Sequence, residues 1–380
     1  MPVPPRPAPF RLRFALLLAP LLLASACASA NTPDSTSTAE CGNLAPVYPV
    51  PSWQALPSPE CAGYSSTALD SVRQRLATMP TTGFMAVAGG RVLMQYGDIQ
   101  AISYLASVRK SVLSMLYGIY VDRGVIDLDQ TLEQLGIDDV GGLTTAEKQA
   151  TVRHLLMARS GVYHPASNDG DDLASAPPRG SQQPGAYYLY SNWDFNALGT
   201  IFEQKTGKNI YDALEEHLAL PLGMEEWDRS THRRTGNASK SIHLAYHMNF
   251  STRDMARIGL LMLREGNWNG RQVVPREWVH ESTRAHTPVH EMNPPQRRNG
   301  RFGYGYLWWV FDGDGTREEF QGAYVGLGAV GQQILVVPKL DLVIVHKTRP
   351  NQQNRSVSHS TFVEIANMVV NARRRSRARA

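Results

Sequence analysis

Ser107 and Lys110 stand three residues apart in Ser107-Val-Arg-Lys110, where a run of Val108, Val112, Met115, Leu116, Ile119 and Tyr120 repeats at helical spacing. Gly124 then offers a stop. Residues three apart share one face of a helix, so the Lys110 amine can reach the Ser107 hydroxyl. A serine hydroxyl is a poor nucleophile at neutral pH. A lysine partly desolvated near a helix start loses its proton more easily and can take one from serine. The positive helix end also favours the oxyanion that follows attack. Two fixed residues in four recur by chance, and an N-capping serine followed by a solvated lysine also explains the tetrapeptide.

A second constellation is Tyr190-Ser191-Asn192, which opens a helix over 193–206. A phenol can relay a proton if nearby cations lower its pKa. The Asn192 amide can hold a lysine ammonium or a substrate carbonyl. A loop tyrosine and an N-cap asparagine are the plain alternative. Asn249, just before Ser251-Thr252, is either a pocket-wall residue or a loop or cap residue. Trp308 and Trp309 read as core and sheet face rather than a substrate platform. His243 and His247 have a zinc-compatible spacing, but no third ligand accompanies them, so no metal is expected. Neither a Gly-x-Ser-x-Gly elbow nor a phosphate-cradling glycine loop appears, and no cofactor is expected.

The elements that must position these residues follow from pattern. The 380 residues suffice for one large or two ordinary domains, and 42% hydrophobic with 19% charged residues is globular composition. Arg6, Arg11 and Arg13 lie in a leader, and Arg373, Arg374, Arg375, Arg377 and Arg379 in a tail over 373–380. Without those eight, 30 basic residues face 34 acidic ones, so the chain's +4 gives no basic face and nucleic acid is not an expected partner. Residues 1–30 read as an export signal, with the apolar run Phe14–Ala26 too short and Pro-interrupted to span a bilayer comfortably. Cleavage after Ala26 or Ala30 competes with a bacterial lipobox in which Cys27 is lipidated. Cysteine parity favours the lipobox: Cys41 and Cys61 then remain as an even pair for a disulfide in an oxidising compartment. The expected protein is therefore periplasmic or membrane-anchored through Cys27.

Residues 31–60, rich in Ser, Thr, Pro and Ala, read as a tether. A helix is expected over Leu69–Met79, a hairpin over Phe84–Ala88 and Val92–Tyr96, and the serine helix over 107–123. Further helices are expected over 210–219, 252–265, 275–285 and 359–372, and strands over Tyr304–Phe311, Gln332–Val337 and Leu342–His346. Polar loops at 164–185 and 286–301 are of the kind that borders a site. Strands near both ends with helices between predict an α+β fold. An antiparallel sheet is built from about 61–140 and 300–372, and a helical part covers about 141–299.

Several stretches then fall in a familiar order: Leu105-Ala-Ser107-Val-Arg-Lys110-Ser111, Val121-Asp-Arg-Gly124, Val152-Arg-His-Leu-Leu156, Ser160-Gly161, Tyr190-Ser-Asn192, Pro221-Leu-Gly-Met224, Asp254-Met-Ala-Arg257 and Gly305-Tyr-Leu-Trp-Trp309. Together, spanning roughly 65–370 of a domain expected over 61–372, they resemble the penicillin-recognising serine hydrolases. The resemblance is to the class C β-lactamase-related branch, with its carboxylesterases, D-aminopeptidases and 6-aminohexanoate-dimer hydrolases. It implies a β-lactamase/transpeptidase-like fold, Ser107 as the acylated nucleophile, Lys110 and Tyr190 as a coupled base and proton relay, and Asn192 as a supporting residue. The Lys-Thr-Gly of class C β-lactamases is absent, and Gly326-Leu-Gly328 stands in its place. Backbone N–H groups of Ser107 and Ala329 would still form an oxyanion hole, with Gly328 letting substrate approach. The expected activity is hydrolysis of a small ester or amide through a Ser107 acyl-enzyme. Alternatives are a β-lactamase or D-amino-acid peptidase, with Arg109, Arg297 or Arg301 replacing the lysine, and a silent binder of cell-wall fragments.

Overall fold

The computed structural model describes Cys41 and residues 44–349 and 356–374. The expected leader with Cys27, the first part of the tether and the tail beyond Arg374 lie outside the described residues. Apolar runs near the two ends of the chain meet in one seven-stranded sheet. Its strands are β1 (Gly83–Ala88), β2 (Arg91–Gly97), β3 (Phe302–Tyr304), β4 (Trp309–Phe311), β5 (Tyr324–Gly328), β6 (Gln332–Val337) and β7 (Leu342–Lys347), in the order β2-β1-β7-β6-β5-β4-β3. Every neighbouring pair is antiparallel, and the N-terminal hairpin joins the C-terminal strand with Met85 opposite Val345.

Strands β1, β6 and β7 are buried at every position because helices cover both faces. Helix α4 (Thr252–Leu263) lies so close that a Cβ on its Gly259 would sit 2.5 Å from Val343 Cγ1. Neighbouring side chains alternate across the sheet, so His346 faces the other side, where its ring meets Phe362 of α6 (His359–Asn371). Helix α2 (Val108–Asp122) packs against β5 and β6 and is buried without a break from Val108 to Tyr120.

Two expectations from pattern need correction. The later part of the tether does not hang free: Val47 N–H donates to Gly89 O at 3.1 Å, Leu56 N–H to Val92 O at 3.1 Å, and Val92 N–H to Gln54 O at 2.8 Å. This segment occupies hydrogen-bonding groups along β2, an edge strand, and the Cys41–Cys61 disulfide fastens it. Polar composition resembled a linker, but the backbone groups of an edge strand gave it partners. The expected strand Tyr304–Phe311 is two strands paired with each other, Trp309 opposite Tyr304. Leu307, at φ 64°, turns the chain between them, and its carbonyl accepts the Ser111 hydroxyl of α2 at 2.8 Å.

The sheet also predicts how acid unfolds the protein. His346 Nδ1–H donates to Gly331 O at 2.7 Å, leaving Nε2 to accept from the Thr81 hydroxyl at 2.9 Å. Burial pushes His346 down to about 4 from 6.5. Desolvation likewise lowers buried His232 and half-buried His247 to about 4. A depressed histidine binds fewer protons folded than unfolded, so its stabilisation is complete above pH 6.5 and is lost as pH falls towards 4. For His346 that loss amounts to up to about 3 kcal/mol by linkage. Urea unfolding between pH 7 and 4.5 should show a steady loss of stability beginning near 6.5; a flat profile down to 4.5 would contradict this.

Candidate active site

Ser107 sits at the N-terminal cap of α2, yet its side chain makes no capping bond. Its hydroxyl instead lies 3.0 Å from Lys110 Nζ, one turn along. The plain reading of a capping serine and a solvated lysine therefore fails. Lys110 is 1% exposed, and its Nζ also lies 2.6 Å from the Tyr190 hydroxyl and 2.8 Å from Asn192 Oδ1. Tyr190 and Asn192 arrive from the turn that opens α3 (Asn192–Thr206). Residues 80 and 82 positions away in sequence thus close around one amine.

The orientation of Asn192 follows from its other contact. Its Nδ2 donates to Asp169 O at 3.0 Å, so Oδ1 must face Lys110. A neutral amine has two N–H donors and one lone pair. Asn192 Oδ1 can only accept, which takes one donor. The lone pair is then free to accept from the Ser107 hydroxyl. The arrangement can remove a proton from Ser107 only while Lys110 is uncharged.

The electrostatics favour that state. Burial, and after it the neighbouring Arg109 cation, hold Lys110 well below the usual lysine value, against Asp171 and Asp172, which raise it. The Lys110 ammonium position also lies 4.3 Å from the ring centroids of Tyr190 and Phe195. Burial pushes Tyr190 up to about 12, while its hydrogen bond with Ser107 and the Arg109 and Arg297 cations act in the other direction. Tyr190 is therefore a protonated phenol at neutral pH, able to pass a proton rather than to serve as a standing phenolate.

Both polar loops border this cluster. Asp171 Oδ2 accepts the Asn192 N–H at 2.9 Å, and the Asp172 N–H donates to Tyr190 O at 2.9 Å. From the other loop Arg297 pairs with Asp172 at 2.7 Å and lies 5.9 Å from the Tyr190 ring centroid and 5.3 Å from that of Trp309. Trp309 stacks on Tyr190, with centroids 5.5 Å apart and planes 29° apart. One of the two tryptophans read as structural thus supports the site; Trp308 is core, with no exposed surface. Sequence reasoning missed the Asp172–Arg297 pair, for which the acidic run Asp169-Gly-Asp-Asp172 was the available signal.

Strand β5 runs beside α2. A Cβ on Gly326 would lie 3.1 Å from Ser111 Oγ, and one on Gly328 2.6 Å from Leu105 O and 3.2 Å from the Ala106 Cβ. Any larger residue at 328 would push the strand end off the turn that carries Ser107. Ala329 follows, exposed, at the end of this strand. Other candidates lie apart from the amine cluster. Asn249 Nδ2 donates to Thr231 O at 2.7 Å, on a short strand pairing Tyr104. His243 turns to Thr200 and Asp138 O, and His247 to the Tyr104 hydroxyl. Arg301 lies beside Asp314 and Phe311, at a cavity away from Ser107.

Comparison with known proteins agrees with this architecture. The Beta-lactamase family matches residues 70–358. The 6-aminohexanoate-dimer hydrolase of Paenarthrobacter ureafaciens is 26% identical over 310 residues, covering 74% of this chain and 75% of the relative. Monacolin J acid methylbutanoyltransferase of Aspergillus terreus is 29% identical over 153 residues, 32% of this chain and 36% of that protein. Among solved structures, a putative 6-aminohexanoate-dimer hydrolase from Bacillus anthracis shares the fold with a TM-score of 0.59 at 20% identity, over 78% of this chain and 80% of that one. With the match spanning well over half of its length, the chain belongs to the beta-lactamase family, among the serine β-lactamase-related, esterase-like proteins.

Proposed function

We propose that the protein is an exported serine hydrolase that cleaves a small ester or amide through an acyl-enzyme on Ser107. The observation that carries this reading is the buried Lys110 amine, 3.0 Å from Ser107 Oγ and held by Tyr190 and Asn192. Neutral Lys110 takes the Ser107 proton as Oγ attacks the acyl carbonyl. The resulting oxyanion is received by the N–H groups of Ser107 and Ala329 at the positive end of α2. Tyr190, hydrogen-bonded to the same amine, passes the proton to the leaving group as the C–O or C–N bond breaks. A water then gives up a proton to the Lys110–Tyr190 pair as it attacks the acyl carbonyl, and the pair returns that proton to Ser107 Oγ as the acyl–Oγ bond breaks and the acid leaves.

Uncharged esters are favoured over β-lactams. A penicillin brings a carboxylate that needs a partner once inside the cleft. Gly326-Leu-Gly328 supplies no cation, and Arg297, the nearest candidate on the loops, is already paired with Asp172. Losing a charge-assisted hydrogen bond costs on the order of 1.5–3 kcal/mol, roughly tenfold to more than a hundredfold in rate. Para-nitrophenyl acetate or butyrate should therefore exceed nitrocefin in kcat/KM. The reverse ranking would assign the site to β-lactams, with Arg297 as the cation to test. The acyltransferase relative supports a second reading, acyl transfer to an acceptor other than water. Adding alcohol during ester turnover should then divert product to the transesterified ester.

Export is part of this proposal. Cys41 and Cys61 are joined to each other, which leaves Cys27 as the third cysteine and the acceptor for lipid. Intact mass of the membrane-extracted protein should match a chain that begins at diacylated Cys27. A lipid-free chain beginning after Ala26 or Ala30 would remove the anchor and leave the hydrolase reading intact.

A further inference from the structure

Arg109 lies between the two residues of the motif, and it points inward. It is 2% exposed. Its Nη1 donates to Ala106 O at 3.0 Å, while Nε and Nη2 are buried with no hydrogen-bond partner. Its guanidinium carbon lies 5.3 Å from the Tyr246 ring centroid. Arg257, equally buried, shows the usual arrangement, since it pairs with both Glu225 and Asp254. Arg109 makes no ion pair among the described residues. A guanidinium does not shed its proton in a protein, so the charge stays whatever its surroundings. An uncompensated buried charge is destabilising, and such costs collect at functional sites.

Ala106 carries a second cost. It precedes Ser107 at φ 48°, a left-handed conformation that a residue with a Cβ rarely adopts. The Arg109 bond to its carbonyl holds that turn from inside the protein, opposite the strand end at Gly328. We propose that Arg109 is a positioning residue for the nucleophile: it fixes the Ala106 carbonyl that sets the Ser107 turn, and its unpaired positive charge adds to burial in opposing a charge on the adjacent Lys110. The inference rests on the reading of Ser107 as nucleophile and Lys110 as base.

The groups that face Lys110 act in opposite directions. On its own helix stand Ser107 and Arg109. From the 168–172 loop come Asp171 and Asp172, which favour the ammonium. From the turn into α3 come Tyr190, Asn192 and Phe195, none of them charged at neutral pH. Arg297 lies 5.9 Å from the Tyr190 ring centroid. Two carboxylates thus pull towards the charged lysine, and burial together with Arg109 opposes them. Removing Arg109 would leave the carboxylates less opposed.

The test is the pH dependence of Ser107 phosphonylation by a fluorophosphonate probe, which needs no knowledge of the natural substrate. For Arg109→Met the acidic limb should move up by about one pH unit. Arg109→Lys should leave the limb in place and lower the maximal rate, because the charge remains while the Nη1 bond to Ala106 O is lost. If Arg109→Met does not fold, Arg109→Gln retains an amide donor for Ala106 O and should show the same upward shift. A limb that superimposes on wild type in the uncharged variants would overturn the proposal. So would an equal shift in Arg109→Lys, since packing and not charge would then be responsible. Failure of the wild-type protein to label at Ser107 is a different result and would strike the nucleophile assignment itself.

Discussion

Ser107→Ala is expected to lower ester turnover by on the order of 10⁴-fold or more, down to what the cleft achieves by binding alone. Stability should change by less than about 0.5 kcal/mol. The second expectation comes from the structure, because the Ser107 side chain makes no capping bond and so contributes nothing to the helix end. Its hydroxyl lies 3.0 Å from Lys110 Nζ and also bonds Tyr190, so its contacts belong to the site and not to the helix end. Matched thermal unfolding curves for variant and wild type, alongside para-nitrophenyl ester assays, separate loss of chemistry from loss of fold. Retained turnover in a folded Ser107→Ala protein would falsify the acyl-enzyme reading. A wild-type protein that binds esters but never turns them over would instead fit the silent binder.

Lys110→Met should cost about 10³- to 10⁴-fold in kcat/KM, since nucleophile and base act as a unit. The volume is roughly kept, but the Tyr190 hydroxyl and Asn192 Oδ1 lose their shared partner, at about 1–3 kcal/mol of stability. The pH profile separates chemistry from structure. On the proposed mechanism the active form in wild type is the neutral amine, so kcat/KM should rise with pH through the Lys110 titration. Burial places that rise well below the ordinary lysine value of 10.5. In Lys110→Met the residual activity should lack this limb. A variant that keeps the wild-type limb would show that another group is the base, and Tyr190 would be examined next.

Much of this was legible in the chain. Helical spacing of apolar residues placed Ser107 at a helix start and Lys110 one turn on, and that local geometry required no tertiary information. The pairing Gln332–Val337 with Leu342–Lys347 was equally local, because two β-rich runs flank a short turn. The strand expected over Tyr304–Phe311 failed because its break is a tertiary effect: Leu307 bends where its carbonyl meets Ser111 of α2. Composition also misplaced residues 44–60. A Pro- and Ser-dotted segment looks like a linker until an edge strand offers its unpaired backbone groups.

By itself, then, the sequence determined the tetrapeptide geometry, the α+β order of elements and the absence of a side-chain cation in Gly326-Leu-Gly328, since each depends on residue type and short-range spacing. Only the tertiary structure decided the chemistry of the amine. The charge state of Lys110 depends on burial and on Arg109, Asp171 and Asp172, and none of these influences can be read from spacing. Tyr190 became a partner of Lys110 because the opening of α3 packs against α2 across 80 residues. Asp172 and Arg297, 125 residues apart, joined two loops that composition alone could only label polar. Periodicity reports which face a residue takes, whereas a pKa reports everything that face meets, and that is settled when distant segments close the core.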